Sequence, residues 1–214
     1  MDSGRPSPRR HGPGVRSERS DLPQALEQEL AERARVDIEA FAELYRHYLP
    51  RIHSFAYRRT GNRQAAEDIC AATFEAALNG IGSFTWRRGG FGAWLYRIAA
   101  NQVIDHHRRE ARPGTDRGQQ AMAAMHTPVE PDVPEAALDA LGGDRDELRQ
   151  ALHQLNPRYQ RALSLRYLAD LDHGEAADAM GLTRPAFAVV LSRAVRALRR
   201  SLDALAQGGD STDG

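Results

Sequence analysis

Lysine is missing from this 214-residue chain: all 29 basic residues are arginine, a bias that GC-rich codons explain and from which no chemistry follows. Cysteine is nearly missing too. Cys70 alone excludes a disulfide within one chain, and its setting between Ile69 and Ala71, near Phe74, suits a small buried hydrophobe. No apolar run approaches the roughly 20 residues of a membrane span. The N-terminus also lacks the apolar core of a signal peptide, so the expected location is the cytoplasm, without a membrane partner. Net charge is absent as well: 29 acidic residues balance the arginines to +0, which neither supports nor excludes a polyanionic partner.

Missing motifs narrow the field further. There is no Gly-rich phosphate loop, nucleophile elbow or paired-carboxylate constellation, so no enzyme, small-molecule substrate or cofactor is expected. His106 and His107 have no second cysteine or HExxH spacing beside them, and no metal site is expected either.

What is present is helical. Residues 1–24, rich in Ser, Pro, Gly and Arg, read as a disordered tail. From Asp37, Ile38, Phe41, Leu44, Tyr45, Tyr48, Ile52 and Phe55 recur at spacings of three and four, as the core face of a long helix does. Thr60-Gly61-Asn62 breaks that pattern, and a second helix carrying Ala65, Ile69, Phe74 and Leu78 ends at Asn79-Gly80. Residues 112–144 hold four prolines, Pro113, Pro128, Pro131 and Pro134, with little periodicity, and read as a flexible linker. The expectation is all-α: a helical domain over 25–111, a second over 145–204, and a disordered tail over 205–214.

The second domain has its own punctuation. Asn156-Pro157 supplies an N-cap and an N1 proline. Asp172-His-Gly-Glu175 has capping-box spacing, Gly181 can turn the chain, and Thr183 can cap a helix with Phe187, Val190, Leu191, Ala194 and Leu198 inward. Arg193, Arg196, Arg199 and Arg200 lie beyond. This is either a DNA-binding helix-turn-helix or a plain helical hairpin with a solvated basic face.

The stretch from Ser83 to Arg109 interleaves aromatic rings with guanidinium groups, the composition that stacks unpaired bases beside phosphates. On a helix, Leu95, Ile98, Ala99 and Val103 form an apolar stripe, while Arg97, Asn101, either Ile104 or Asp105, and Arg108 lie opposite. The alternative is an ordinary amphipathic helix whose aromatics are core.

The run Phe-Gly-Ala-Trp-Leu-Tyr-Arg-Ile-Ala-Ala-Asn-Gln-Val-Ile-Asp-His-His-Arg-Arg, from Phe91 to Arg109, resembles region 2 of bacterial extracytoplasmic-function (ECF) sigma factors. The run from Leu155 to Thr183 is similar to their region 4. The resemblance implies a transcription initiation factor that binds core RNA polymerase, recognises minus-10 and minus-35 promoter elements and assists melting. It places Trp86, Arg88 and Phe91 in or beside the loop that captures a flipped minus-10 base, with Arg97, Asn101 and Arg108 on the strand. Minus-35 contacts fall on Arg184, Ala188, Val189, Ser192, Arg193, Arg196 and Arg200. Glu67, Asp68 and Phe74 match the helix that docks on polymerase, or else Glu67 and Asp68 are a solvated face. Alanine stands at position 72, where relatives carry an acid, and Ala188-Val189-Val190 replaces a polar and basic tripeptide. The linker corresponds to the segment threaded through polymerase, or is a passive tether. An anti-sigma factor is a further partner in this reading. Two alternatives remain: a sigma-like interaction module held by such a regulator, and a stand-alone helix-turn-helix regulator.

Overall fold

The structure, a computed structural model, describes residues 22–110 and 145–209. All regular elements among them are helices. In the first domain, α1 (Gln24–Arg33), α2 (Ile38–Thr60), α3 (Arg63–Gly80) and α4 (Gly90–Glu110) pack around one core. Local chemistry sets their ends. Asp37 caps α2 by accepting from Glu39 N at 2.9 Å, and Asn62 caps α3 by accepting from Ala65 N at 3.0 Å. Between them Gly61, at φ +65°, closes α2 in the left-handed region where other residues are strained.

Phe41, Leu44, Tyr48, Ile52 and Phe55 line the buried face of α2, as their spacing predicts. Cys70 is buried among them, and that burial pushes its thiol up to about 11, which makes it an inert core group. Helix α1 was not anticipated. Only Leu30 and Ala31 of its residues are fully buried and no side chain caps its start, so it leaves little periodic signal. The expected N-terminal tail falls outside the described residues except for 22–24, where Leu22 already packs on the core.

The second domain comprises α5 (Arg145–Gln154), α6 (Pro157–Leu163), a π-helical turn over Ser164–Leu168, α7 (His173–Ala179) and α8 (Arg184–Gly209). Asn156 caps α6 through Tyr159 N at 3.0 Å, and Asp172 and Glu175 form both bonds of the capping box. The π turn widens what periodicity alone would make one helix: Ala169 N reaches back to Ser164 O at 2.9 Å, and Asp170 ends it at φ 51°. Gly181, at φ +65°, makes the turn into α8. That helix runs five residues past the expected boundary at 204, because Leu205 still packs on the core. The expected linker lies outside the described residues.

The two domains touch. Helix α4 packs on α6 and α7, and one hydrophobic cluster runs through both domains.

Candidate nucleic-acid interface

The loop before α4 rests on an aromatic floor. Phe84, Phe91 and Trp94 hold centroids 5.0 to 5.9 Å apart in tilted or edge-on contact, and Phe84 meets Trp86 edge-on at 6.2 Å. Phe91 is wholly buried, Trp86 half-buried, and Arg87 and Arg88 exposed. The floor is therefore Phe84, Phe91 and Trp94, with Trp86 half-buried against it, and the side chains that reach outward are the two arginines.

Glu27, on α1, fixes the loop's end. Its Oε1 accepts from Gly92 N at 2.9 Å and from the Tyr48 hydroxyl at 2.6 Å, so a residue far away in sequence caps the first turn of α4. Burial, with the Glu27 carboxylate next, raises the Tyr48 phenol far above its ordinary value and keeps it a donor. Glycine is required at position 92, since a Cβ there would lie 2.7 Å from the Tyr48 oxygen. Gly90, at φ +66°, sets the entry into the helix. Sequence reasoning missed Glu27 because no local motif marks a cap supplied from another helix. Glu27→Ala should lose about 2 kcal/mol, the upper range for a cap, since it strands a buried hydroxyl as well as an N–H. Urea unfolding of the variant measures this, and Glu27→Gln should recover part of the loss.

Along α4, Arg97, Asp105 and Arg108 are exposed and Asn101 is half-buried, with its Oδ1 buried and without a hydrogen-bond partner among the described residues. Ile104 is buried, so Asp105 and not Ile104 belongs to the outer face. On α3, Glu67 and Asp68 are exposed, and Arg63 Nε and Gln64 Nε2 donate to them at 2.9 and 3.2 Å. Phe74 is buried and meets Tyr45 edge-on at 4.6 Å. The apolar groups that reach the surface nearby are Tyr45 and Leu78, 38% and 43% exposed.

Helix α8 presents its basic side freely. Thr183 caps it through Ala186 N at 3.4 Å, Phe187 is wholly buried, and Arg184, Ala188, Val189, Ser192, Arg193, Arg196 and Arg200 are all exposed. Val189 is 51% exposed, enough to meet a partner's surface.

Comparison with known proteins assigns both halves. Residues 44–113 match the family described as Sigma-70 region 2, and residues 145–198 match Sigma-70, region 4. The ECF RNA polymerase sigma factor BldN of Streptomyces coelicolor is 36% identical over 185 residues, covering 86% of this chain and 68% of BldN. The chain belongs to the ECF sigma factors. Two solved structures share the fold, each at 22% identity. CnrH in complex with the cytosolic domain of CnrY has a TM-score of 0.56 and covers 84% of this chain and 98% of its own. RpoE in complex with the anti-sigma factor NepR from Bartonella quintana has a TM-score of 0.50, covering 77% and 98%.

This sigma factor is a non-enzymatic initiation factor that binds RNA polymerase and recognises promoters through regions 2 and 4. Region 2 of the sigma factor contains Trp86, Arg88, Phe91, Arg97, Asn101 and Arg108 together with the α3 surface. Region 4 contains the α8 candidates from Arg184 to Arg196, while Arg200 lies just beyond its matched end at 198. Among the described residues, no helix of the sigma factor is long and apolar enough to cross a membrane.

Proposed function

We propose that the outer edge of α4 captures the opened strand of the minus-10 element while α8 holds the minus-35 element, with α3 docked on core polymerase. The observation that carries this reading is spatial. Trp86, Arg88, Arg97, Asn101 and Arg108 follow one edge of a single helix and its loop, and the α8 set lies on a separate exposed helix. Trp86 stacks on an unpaired base, the arginines hold phosphates, and Asn101 supplies an amide group for hydrogen bonding. Phe91 supports the loop from beneath. At the polymerase surface Glu67 and Asp68 give charge, Tyr45 and Leu78 give apolar contact, and Phe74 braces Tyr45. The work is cytoplasmic, where polymerase and promoters are, and an anti-sigma factor is the regulator that fits a chain of this family.

Region 4 tests this reading. Its exposed arginines and apolar Ala188 and Val189 favour phosphate-driven binding, with base preference from contact to thymine methyl groups. Arg196→Ala should weaken binding of the full chain to matched and scrambled minus-35 duplexes alike and lower the salt slope by about 1. Val189→Ala should leave the slope unchanged and reduce only the preference for the matched duplex. If Val189→Ala leaves that preference intact but loses a protein partner, α8 is an interaction surface.

A further inference from the structure

The loop that carries Trp86 has little structure of its own. Phe84 N donates to Ile81 O at 3.1 Å where the loop begins and Gly90 N donates to Arg87 O at 2.9 Å where it ends, while Thr85 and Trp86 between them belong to no helix or turn. Such a segment opens locally at little cost unless another element holds it. The aromatic floor fixes its rings, but the buried Phe84 also brings a carbonyl that must find a donor.

The polar partners come from the start of the chain. Arg35, in the turn between α1 and α2, donates from Nη2 to Phe84 O at 2.6 Å, a short bond strengthened by the charge on its donor. That turn is itself fixed. Val36 N and Asp37 N donate to Arg33 O at 3.0 and 2.9 Å, and the Arg33 guanidinium pairs with Asp37 at 2.9 Å. At the far end of the loop, Glu27 Oε1 takes the Gly92 N–H. A Cβ at Gly90 would lie 2.9 Å from Glu27 Oε2 and 3.2 Å from Trp86 Cη2, so the carboxylate and the rim of the indole are neighbours over the space that glycine leaves open. The rim of an aromatic ring is its positive part, which suits a carboxylate beside it. Glu27 and Arg35 thus hold the loop on either side of Trp86. Both precede the stretch matched to region 2, which begins at 44.

Resting on the strand-capture reading of Trp86, we propose that α1 and the turn after it brace the base-capture loop, with Arg35 the positioning residue at its start. Arg35 acts through Phe84 and not on a base. By holding the Phe84 carbonyl it sets the direction in which the chain enters Thr85 and Trp86, so that the indole is in place when the strands part. Glu27 sets the other end. A loop ordered in advance loses less conformational entropy when a base stacks on it.

The test begins with Arg35→Met, which keeps the aliphatic stem and removes the donor. Arg35 is exposed, so the fold should survive the change. In the full chain without DNA, exchange of the hydrogen-bonded amides of Phe84 and Gly90 should run about fivefold to tenfold faster than in the parent, as expected for one lost charge-assisted hydrogen bond. Core amides of α2 should exchange at the parent rate. Arg35→Lys, which retains a donor, should recover most of the protection. In holoenzyme, permanganate reactivity of minus-10 thymines should fall about fivefold in Arg35→Met at unchanged closed-complex affinity. With Trp86→Ala already present, Arg35→Met should lower melting no further, because a residue that acts by placing Trp86 then has nothing to place. Loop exchange equal to the parent overturns the brace. An equal loss of melting with and without Trp86, or a salt slope for promoter binding lowered by about 1, overturns the positioning role and makes Arg35 a DNA contact in its own right. If Trp86→Ala alone melts the promoter as the parent does, strand capture falls, and the exchange measurement, which contains no DNA, still decides the brace.

Discussion

Phe91→Ala is expected to destabilise region 2 by about 3–5 kcal/mol, the range for removing a fully buried phenyl ring. Phe91 has no exposed surface, contacts Tyr48, Phe84 and Trp94, and lies beside Gly92, which Glu27 anchors. Its loss removes the floor under Trp86 and loosens the entry to α4 in one step. Thermal or urea unfolding should show the drop, and promoter melting should fall with it. Phe91→Leu, which keeps most of the volume, should restore much of the stability. Full melting activity in a destabilised Phe91→Ala chain would show that the loop is organised by something other than this floor.

Trp86→Ala combined with Asn101→Ala should abolish most open complex at a smaller stability cost than Phe91→Ala. Both side chains are half-buried, Trp86 packing on the core beside Phe84, so less core is lost than at the wholly buried Phe91. Stacking of about 1–3 kcal/mol per base corresponds to roughly 5- to 150-fold in the open-to-closed ratio from Trp86 alone, before the Asn101 hydrogen bond is counted. Permanganate reactivity of minus-10 thymines on the polymerase-bound promoter reads the effect directly. Closed-complex affinity should hold, because stacking groups engage bases only after the strands part. Melting equal to the parent would remove these two residues from strand capture, and a fall in closed-complex affinity would move them to initial recognition.

Much of this architecture is legible from residue order. The period of α2 names its core, and the Asp172–Glu175 spacing and Gly181 mark the helix-turn-helix, because caps and turns are chemically local. Helix α1 is not legible, since two fully buried residues carry too weak a period and its start is uncapped. Aromatic identity also does not reveal which way a ring points. Phe74 and Phe91 turn inward, and at the α3 surface Tyr45 and Leu78 emerge in place of Phe74. The Glu27 cap, the Arg35 bond to Phe84 and the packing of α7 on α4 depend on segments far apart in the chain. No short window of sequence contains both partners, so only the folded chain brings them together.

The central claim, that this sigma factor guides polymerase to promoters through the α4 edge and α8 together, is tested most directly by run-off transcription with core polymerase on a promoter library. The full chain should yield transcripts with defined starts from a subset of templates that share both a minus-10 and a minus-35 sequence, and Trp86→Ala with Asn101→Ala should yield almost none from the same templates. Transcripts no more abundant than with core polymerase alone, or a selected subset that shares neither sequence, would contradict it.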